Sequence, residues 1–324
     1  MRSHSAPVRW MGLALVVFGL AMVLALAAPP ARADGGFVDT GLRFPGVSWG
    51  RGRWGDYDRD RELDFAVFGF GPEGTGKQAT LYRNDGGVFF DASAPLHPVS
   101  NGDIEWGDFD NDGDLDLLIA AGFWSILYPN NDTAFDEKVF LTGVDGSADW
   151  VDYDNDGDQD IYLAGHLHTG KRTSFVARND LGVFTERYVG IPAFLGRGMA
   201  WGDYDDDGDL DVAAGAPYHQ SVSDLYRNEN GLFSPAGASF AGLAADNIAW
   251  GDYDNDGDLD LFLTGECSQV DRGYLFRNDD GQFVDSGIFF PQQTEGSAEW
   301  GDFDNDGDLD LLVTGGAEDM SDYP

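Results

Sequence analysis

Basic residues and cysteine are what this 324-residue sequence has least of. Nineteen lysines and arginines stand against 58 aspartates and glutamates, for a formal net charge of −39. A chain this acidic repels nucleic acid, which excludes a binder working through a basic surface. The single cysteine, Cys267, cannot close an intramolecular disulfide, so something else must stiffen the fold. Helical periodicity is not needed to account for the sequence either, because short apolar runs alternate with turns rich in Gly, Asn and Asp. Against these absences, 42% hydrophobic and 14% aromatic residues supply a core, which excludes a disordered acidic tail.

One long uncharged run is present, from Met11 to Ala28, preceded by Arg2 and Arg9 and followed by Pro29, Pro30 and Ala31-Arg32-Ala33. This pattern reads as a secretory signal peptide cut after Ala33, leaving residues 34–324 as the mature chain. A retained membrane anchor is the alternative, and the absence of a basic stop-transfer cluster speaks against it. Cleavage removes three arginines and no acid, so the mature charge becomes −42. The expected location is secreted or in the cell envelope, periplasmic or extracellular, in the style of a bacterial export signal.

Internal repetition decides the fold class. Trp54, Trp106, Trp150, Trp201, Trp250 and Trp300 open six copies of one phrase, 44 to 52 residues apart. The phrase is clearest as Trp300-Gly-Asp-Phe-Asp-Asn-Asp-Gly-Asp-Leu-Asp310. In the fifth copy, Asn247 to Trp250, Leu259 to Thr264, Tyr274 to Arg277 and Phe283-Val284 read as four strands, with a hairpin turn at Asn278 to Gly281. Four strands per unit of about 50 residues predict an all-β propeller of six, or with further residues seven, four-stranded blades. Phe37-Val38 matches a fourth strand without its blade and is expected to complete the last one. At the other end the chain stops at Pro324, where a third strand should begin, so the last blade is incomplete within this sequence.

The acids follow the same register. Asp108, Asp110, Asp112, Asp114 and Asp116 occupy alternate positions of a nine-residue loop, with Gly113 at the sixth. The spacing returns as Asp152, Asp154, Asp156, Asp158 and Asp160; as Asp203, Asp205, Asp207, Asp209 and Asp211; as Asp252, Asp254, Asp256, Asp258 and Asp260; and as Asp302, Asp304, Asp306, Asp308 and Asp310. Six such windows hold 31 of the 58 acids, a concentration that solubility alone does not explain. Carboxylates at positions one, three, five and nine, with the carbonyl of position seven, make an all-oxygen shell that selects Ca²⁺, about one ion per blade. An EF-hand is excluded, because position twelve holds Val67, Ile119, Leu163, Ala214, Leu263 or Val313. The first loop departs from the pattern: Asp56, Asp58, Asp60 and Asp64 are present, but Arg61 replaces the glycine and Arg59 adds a second cation, so a weak or empty site is expected there.

This phrase, with the distal Arg-Asn-Asp-x-Gly-x-Phe, resembles the FG-GAP/VCBS repeat family, whose members look like the integrin α-subunit propeller. The resemblance implies a calcium-binding β-propeller. It leaves the function open among adhesion modules, ligand-binding modules and propellers attached to enzymes.

Other motifs carry less. Gly71 to Lys77 fits the phosphate-loop spacing, but Gln78 stands where Ser or Thr is needed and a strand follows instead of a helix. His166 and His168 have no third metal ligand nearby in sequence, and Cys267 has no catalytic context. Carboxylates repeated in every blade favour structure over glycoside hydrolysis, which needs one distinct pair. Up-and-down strands put the acidic loops and the Asn-Asp-x-Gly turns on one face. The remaining connections share the opposite face and carry Lys77, Trp124, His166, His168, Lys171, Arg172, Tyr218, His219 and Arg272. That mixture suits a carbohydrate, anionic or protein ligand, with ordinary loop variation as the alternative. The expected function is a non-catalytic binding or adhesion module; the alternative is the propeller of a polysaccharide lyase or hydrolase.

Overall fold

A computed structural model describes residues 41–316 apart from 73–74, 136, 193–197, 216–221, 242–243, 267–271 and 292–293. The signal segment, Phe37-Val38, Tyr218, His219 and Cys267 therefore lie outside the described residues. Among those described there is no helix, and none long and apolar enough to cross a membrane.

The strands form six sheets. The first blade is β1 (Ser48–Gly55), β2 (Asp64–Phe70), β3 (Lys77–Asp85) and β4 (Val88–Asp91), joined antiparallel in chain order. The second is β5 (Gly102–Gly107), β6 (Asp116–Ala121), β7 (Trp124–Tyr128) and β8 (Val139–Leu141). The third is β9 (Asp145–Val151), β10 (Asp160–His166), β11 (Arg172–Asp180) and β12 (Val183–Arg187). The fourth is β13 (Met199–Gly202), β14 (Asp211–Ala214), β15 (Val222–Glu229) and β16 (Leu232–Ala241). The fifth is β17 (Ala244–Gly251), β18 (Asp260–Glu266), β19 (Arg272–Asp279) and β20 (Gln282–Asp285), with the short β21 (Phe290–Pro291) also on β19. Only β22 (Thr294–Gly301) and β23 (Asp310–Gly316) make up the sixth, which is thus an incomplete blade among the described residues.

The second strand of a blade is buried on both faces, which is why it reads as an unbroken apolar run: every residue of β6, Asp116–Ala121, is buried. Alternate side chains serve different interfaces. Leu117 and Ile119 join the core shared with the first blade, whereas Leu118 and Ala120 join the core shared with the third. Each such Leu or Ile contributes about 1.5–3 kcal/mol by leaving water.

The Trp-Gly pair sets the spacing between blades. A Cβ on Gly55 would come within 2.8 Å of the Trp106 indole, and one on Gly107 within 2.5 Å of Trp150, so each tryptophan lies flat on the glycine of the preceding blade. Trp250 Nε1 also donates to the Ala200 carbonyl at 3.0 Å. The third blade has Val151 in place of that glycine, and the facing Trp201 packs edge-on against Tyr162 and Phe233 instead.

In the sixth blade, Leu312 corresponds to Leu118 and Phe262. Those two are fully buried, whereas Leu312 is 66% exposed, because no described residue covers the face that other blades turn to their successor.

Candidate metal centre

The acidic loops join the first strand of each blade to the second, and their shape follows from two left-handed residues. Position four has φ of 54 to 60° in all six loops and is Asn in four of them; Asn tolerates this conformation better than most residues. Position six is Gly113, Gly157, Gly208, Gly257 or Gly307, with φ from 89 to 105°. Its N–H donates to the carboxylate of position one: Gly113 to Asp108 Oδ2 at 2.9 Å, Gly157 to Asp152 at 3.1 Å and Gly208 to Asp203 at 2.9 Å.

Positions one, three and nine converge. Carboxylate oxygens of Asp56, Asp58 and Asp64 all lie within 4.8 Å of one another, and the same holds for Asp108, Asp110 and Asp116, for Asp152, Asp154 and Asp160, for Asp203, Asp205 and Asp211, and for Asp252, Asp254 and Asp260. The sixth loop keeps the local pattern, with Gly307 donating to Asp302 and Phe303 to Asp310.

Position nine is the buried anchor. Asp116 Oδ2 accepts from Phe109 N at 3.0 Å, and its Oδ1 from Asn130 N at 2.8 Å. Asp160 is held alike by Tyr153 N and Asn179 N, and Asp211 by Tyr204 N and Asn228 N. Burial pushes the carboxyls of Asp116, Asp160 and Asp211 up to about 7, and those of Asp64 and Asp260 to about 6, with the backbone donors opposing the shift. Position three is also raised, first by desolvation and then by the neighbouring acid at position five, in Asp58, Asp110, Asp154, Asp205, Asp254 and Asp304.

Several of these oxygens have no donor. Asp56 Oδ1, Asp108 Oδ1, Asp154 Oδ1 and Asp205 Oδ1 are buried without a hydrogen-bond partner. Crowded carboxylates with orphaned oxygens and no nitrogen or sulfur ligand fit a hard divalent cation, so each blade carries a calcium site.

Positions five and seven do other work with their side chains. Position five caps the turn, as Asp112 Oδ1 does by accepting Asp114 N at 2.8 Å. Position seven reaches the hairpin between the third and fourth strands, where Asp158 Oδ2 accepts Leu181 N at 3.1 Å and Asp209 Oδ2 accepts Asn230 N at 2.8 Å. These bonds place the loops and hairpins on one face, as the strand count implies. Position seven also receives the Asn of the preceding loop: Asn111 donates to Asp158 at 3.0 Å, Asn155 to Asp209 at 2.7 Å and Asn255 to Asp308 at 2.9 Å. Asp60, Asp156, Asp207, Asp256 and Asp306 hold position five in the other loops. Asp114 and Asp258 hold position seven in the second and fifth.

In the first loop, Arg61 adopts φ 73° and its N–H donates to Asp56 Oδ2 at 3.0 Å, so the arginine reproduces the glycine's turn and the carboxylates still converge. Arg59 turns away from its own loop and pairs with Asp114, in the role Asn plays elsewhere. Arg59 therefore adds no cation to the first site but links it to the second loop, while Arg61 remains the first loop's departure from glycine.

Two functional positions lay beyond the sequence reading. The Asn after the third-strand Arg is fully buried in the third, fourth and fifth blades and bridges blades: Asn179 Nδ2 donates to the Phe109 carbonyl of the preceding blade at 2.6 Å and to the Gln159 carbonyl at 3.1 Å. The Arg itself reaches the calcium loop in the third and fourth blades, where Arg178 Nη2 lies 2.9 Å from Asp156 and Arg227 Nη2 lies 2.7 Å from Asp207, holding both carboxyls below the usual range. Its repetition beside an acid-rich loop was the available signal.

A second charged group breaks the repeat. Along the inner strands, the residue before each Trp is Arg53, Glu105, Asp149, Ala200, Ala249 and Glu299 in turn. Arg53 grips Glu105 with Nε 2.9 Å from both oxygens, and Arg51 lies 3.4 Å from Asp103. Burial, with Asp103 and Glu105 nearby, pushes Asp149 up to about 7. No single blade holds this cluster, which is why blade-by-blade reading misses it.

On the opposite face, Trp124 is 46% exposed and Lys77, His168, Lys171 and Arg172 are exposed, while His166 is half-buried. Nothing is described for the side chain of Arg272.

Four segments, residues 56–119, 152–214, 203–263 and 252–313, match the model of the FG-GAP-like repeat. No curated protein matches the sequence. Among solved structures, the rhamnogalacturonan lyase YesW is 12% identical over 81% of this chain and 54% of its own, with a TM-score of 0.51. A lectin of Agrocybe aegerita that recognises non-reducing terminal N-acetylglucosamine is 18% identical over 85% and 72%, with a TM-score of 0.48. The biofilm matrix protein Bap1 of V. cholerae is 12% identical over 78% and 41%, with a TM-score of 0.44. The chain thus spans about half the length of the lyase it resembles. With the repeat model covering more than half of the sequence and the carboxylates gathered blade by blade, the chain belongs to the FG-GAP-like repeat family.

Proposed function

We propose that this protein is an exported, calcium-stabilised propeller that acts as a non-catalytic binding or adhesion module for carbohydrate, through the face opposite the calcium loops. The observation that carries this reading is the use of the acids. Those in the loops repeat in every blade and are tied up in turns, backbone hydrogen bonds and loop-to-loop links, which suits a scaffold better than a single reacting centre. Cations and aromatic rings gather on the opposite face, where the repeats differ. A glycan array probed with purified protein, with and without calcium, is expected to give calcium-dependent binding without turnover. Binding to no glycan in either condition would remove carbohydrate as the ligand.

The inner-strand cluster favours a second reading, a polysaccharide-degrading enzyme. Asp149 sits beside Asp103 and Glu105 with a carboxyl raised to about 7, a value suited to proton transfer near neutrality. Release of reducing ends from any polysaccharide, abolished in Asp149→Asn, would establish it over the first.

A further inference from the structure

The face opposite the calcium loops is not uniform. Aromatic rings and ammonium groups concentrate where the first two blades meet. Phe70 ends β2 and Lys77 begins β3, and the Lys77 ammonium lies 5.9 Å from the Phe70 ring centroid. The same ammonium reaches the second blade, 3.6 Å from where a Cβ on Gly122 would stand. Two residues after Gly122, Trp124 opens β7 with its ring 5.0 Å from His97 and 6.2 Å from Phe140, tilted to each by about 60°. Phe70, Trp124 and Phe140 are 41%, 46% and 61% exposed. Tilted rings at these separations leave faces open to a ligand, and an exposed apolar cluster of this kind is rare without a partner.

Charge selects the partner. Lys77 and Lys138 are two of the three lysines in the whole chain. Lys138 donates to the Pro95 carbonyl at 2.7 Å and lies 5.2 Å from the Tyr128 ring, whose hydroxyl accepts the His97 N–H at 2.8 Å. Lys138 thus stands on the flank of the same cluster. Neither ammonium meets a carboxylate among the described ion pairs, whereas Arg51, Arg53, Arg59, Arg83, Arg178, Arg227 and Arg277 each do. In a protein of net charge −39, lysines with no carboxylate partner among the described residues, set beside open rings, fit a ligand with both a flat apolar face and negative charge.

We infer that the seam of the first and second blades is the ligand site, and that it takes acidic polysaccharide, stacking sugar rings on Trp124 and Phe140 and placing carboxylates against Lys77 and Lys138. This rests on the carbohydrate reading above and narrows it to one site and one chemical class. The long-range repulsion from the acidic loops is screened over about 8 Å at physiological ionic strength, so binding is local and weakens with salt.

The test uses the calcium-loaded full chain and immobilised hyaluronan, alginate and polygalacturonate, each paired with its carboxyl-reduced neutral form. At least one acidic polymer is expected to bind more tightly than its neutral counterpart. Trp124→Ala with Phe140→Ala should weaken that binding about tenfold or more, as removal of central aromatic anchors does. Lys77→Gln with Lys138→Gln should flatten its salt dependence and erase the preference over the neutral form. Phe289→Ala, an exposed ring in the fifth unit, should change nothing, and an unaltered melting temperature with calcium shows that each variant folds. If an acidic polymer binds the aromatic double variant as well as it binds wild type, the seam is wrong while the carbohydrate reading stands. Equal binding of acidic and reduced polymers overturns the acidic class. Binding of none of the six polymers overturns this inference, and a glycan array then decides the broader reading separately.

Discussion

The two faces of this propeller use the same repeat in opposite ways. On the calcium face, each loop gathers its own carboxylates, and four of the loops also bond to the next, so repeated copies give one structural answer. On the other face, connections of different length and composition vary from blade to blade, and they bring rings and a lysine together at the seam of the first two blades. Repetition marks what holds the molecule together, and departure from repetition marks where it can discriminate.

Calcium removal should separate the faces most sharply. Each site filled at a hundredfold over its dissociation constant contributes about 2.7 kcal/mol, and the sites act together. Chelation should therefore lower the melting temperature in calorimetry by more than any point substitution does. An unchanged transition in excess chelator would break the comparison at its root.

Acidity should reveal the same sites without metal. Asp64, Asp116, Asp160, Asp211 and Asp260 have folded-state values of about 6 to 7, above the ordinary 3.8. A raised carboxyl favours the folded state while it is protonated, and that advantage is lost as pH rises from about 4 to 7. Metal-free protein should melt at progressively lower temperature across this window. Saturating calcium, which binds the ionised carboxylates, should flatten or reverse the trend. A metal-free melting temperature that climbs with pH would show that these acids are not buried as described.

A smaller effect is expected at the buried Asn. Asn179→Ala leaves the Phe109 carbonyl, the Gln159 carbonyl and the Gly182 N–H without their partner. At about 1–3 kcal/mol per orphaned group, partly relieved by water, chemical denaturation should show a loss of about 3 kcal/mol with or without calcium. Tyr188→Ala on the other face, at 73% exposure, should stay within about 0.5 kcal/mol.

The first loop offers the finest discrimination. Arg61→Gly removes a non-glycine residue from φ 73° and should stabilise the loop by about 1 kcal/mol. A calcium titration should then show this site tightening relative to the other five. Weaker binding in the variant would mean that Arg61 supports the site through contacts of its side chain.

Blades, loops and faces were legible because a 50-residue period writes each of them six times. Val151 in the glycine position did not disturb that reading, since Trp201 finds Tyr162 and Phe233 in compensation. What the sequence hid were contacts between copies. Asn179 and Arg178 are plain as letters, but their partners Phe109 and Asp156 are brought to them only by blade packing and strand pairing. The inner-strand cluster was hidden for a related reason: Arg53, Glu105 and Asp149 belong to three different copies and meet only where the blades converge. Arg59 misled because charge was read without direction, and its side chain serves the next loop instead of its own.

The links from loop to loop also have a mechanical meaning. Arg59 to Asp114, Asn111 to Asp158 and Asn155 to Asp209 run like a drawstring through the first four blades. A force that pulls one of these blades outward would load this string along its length, so that neighbouring blades share the pull before any one of them can peel away.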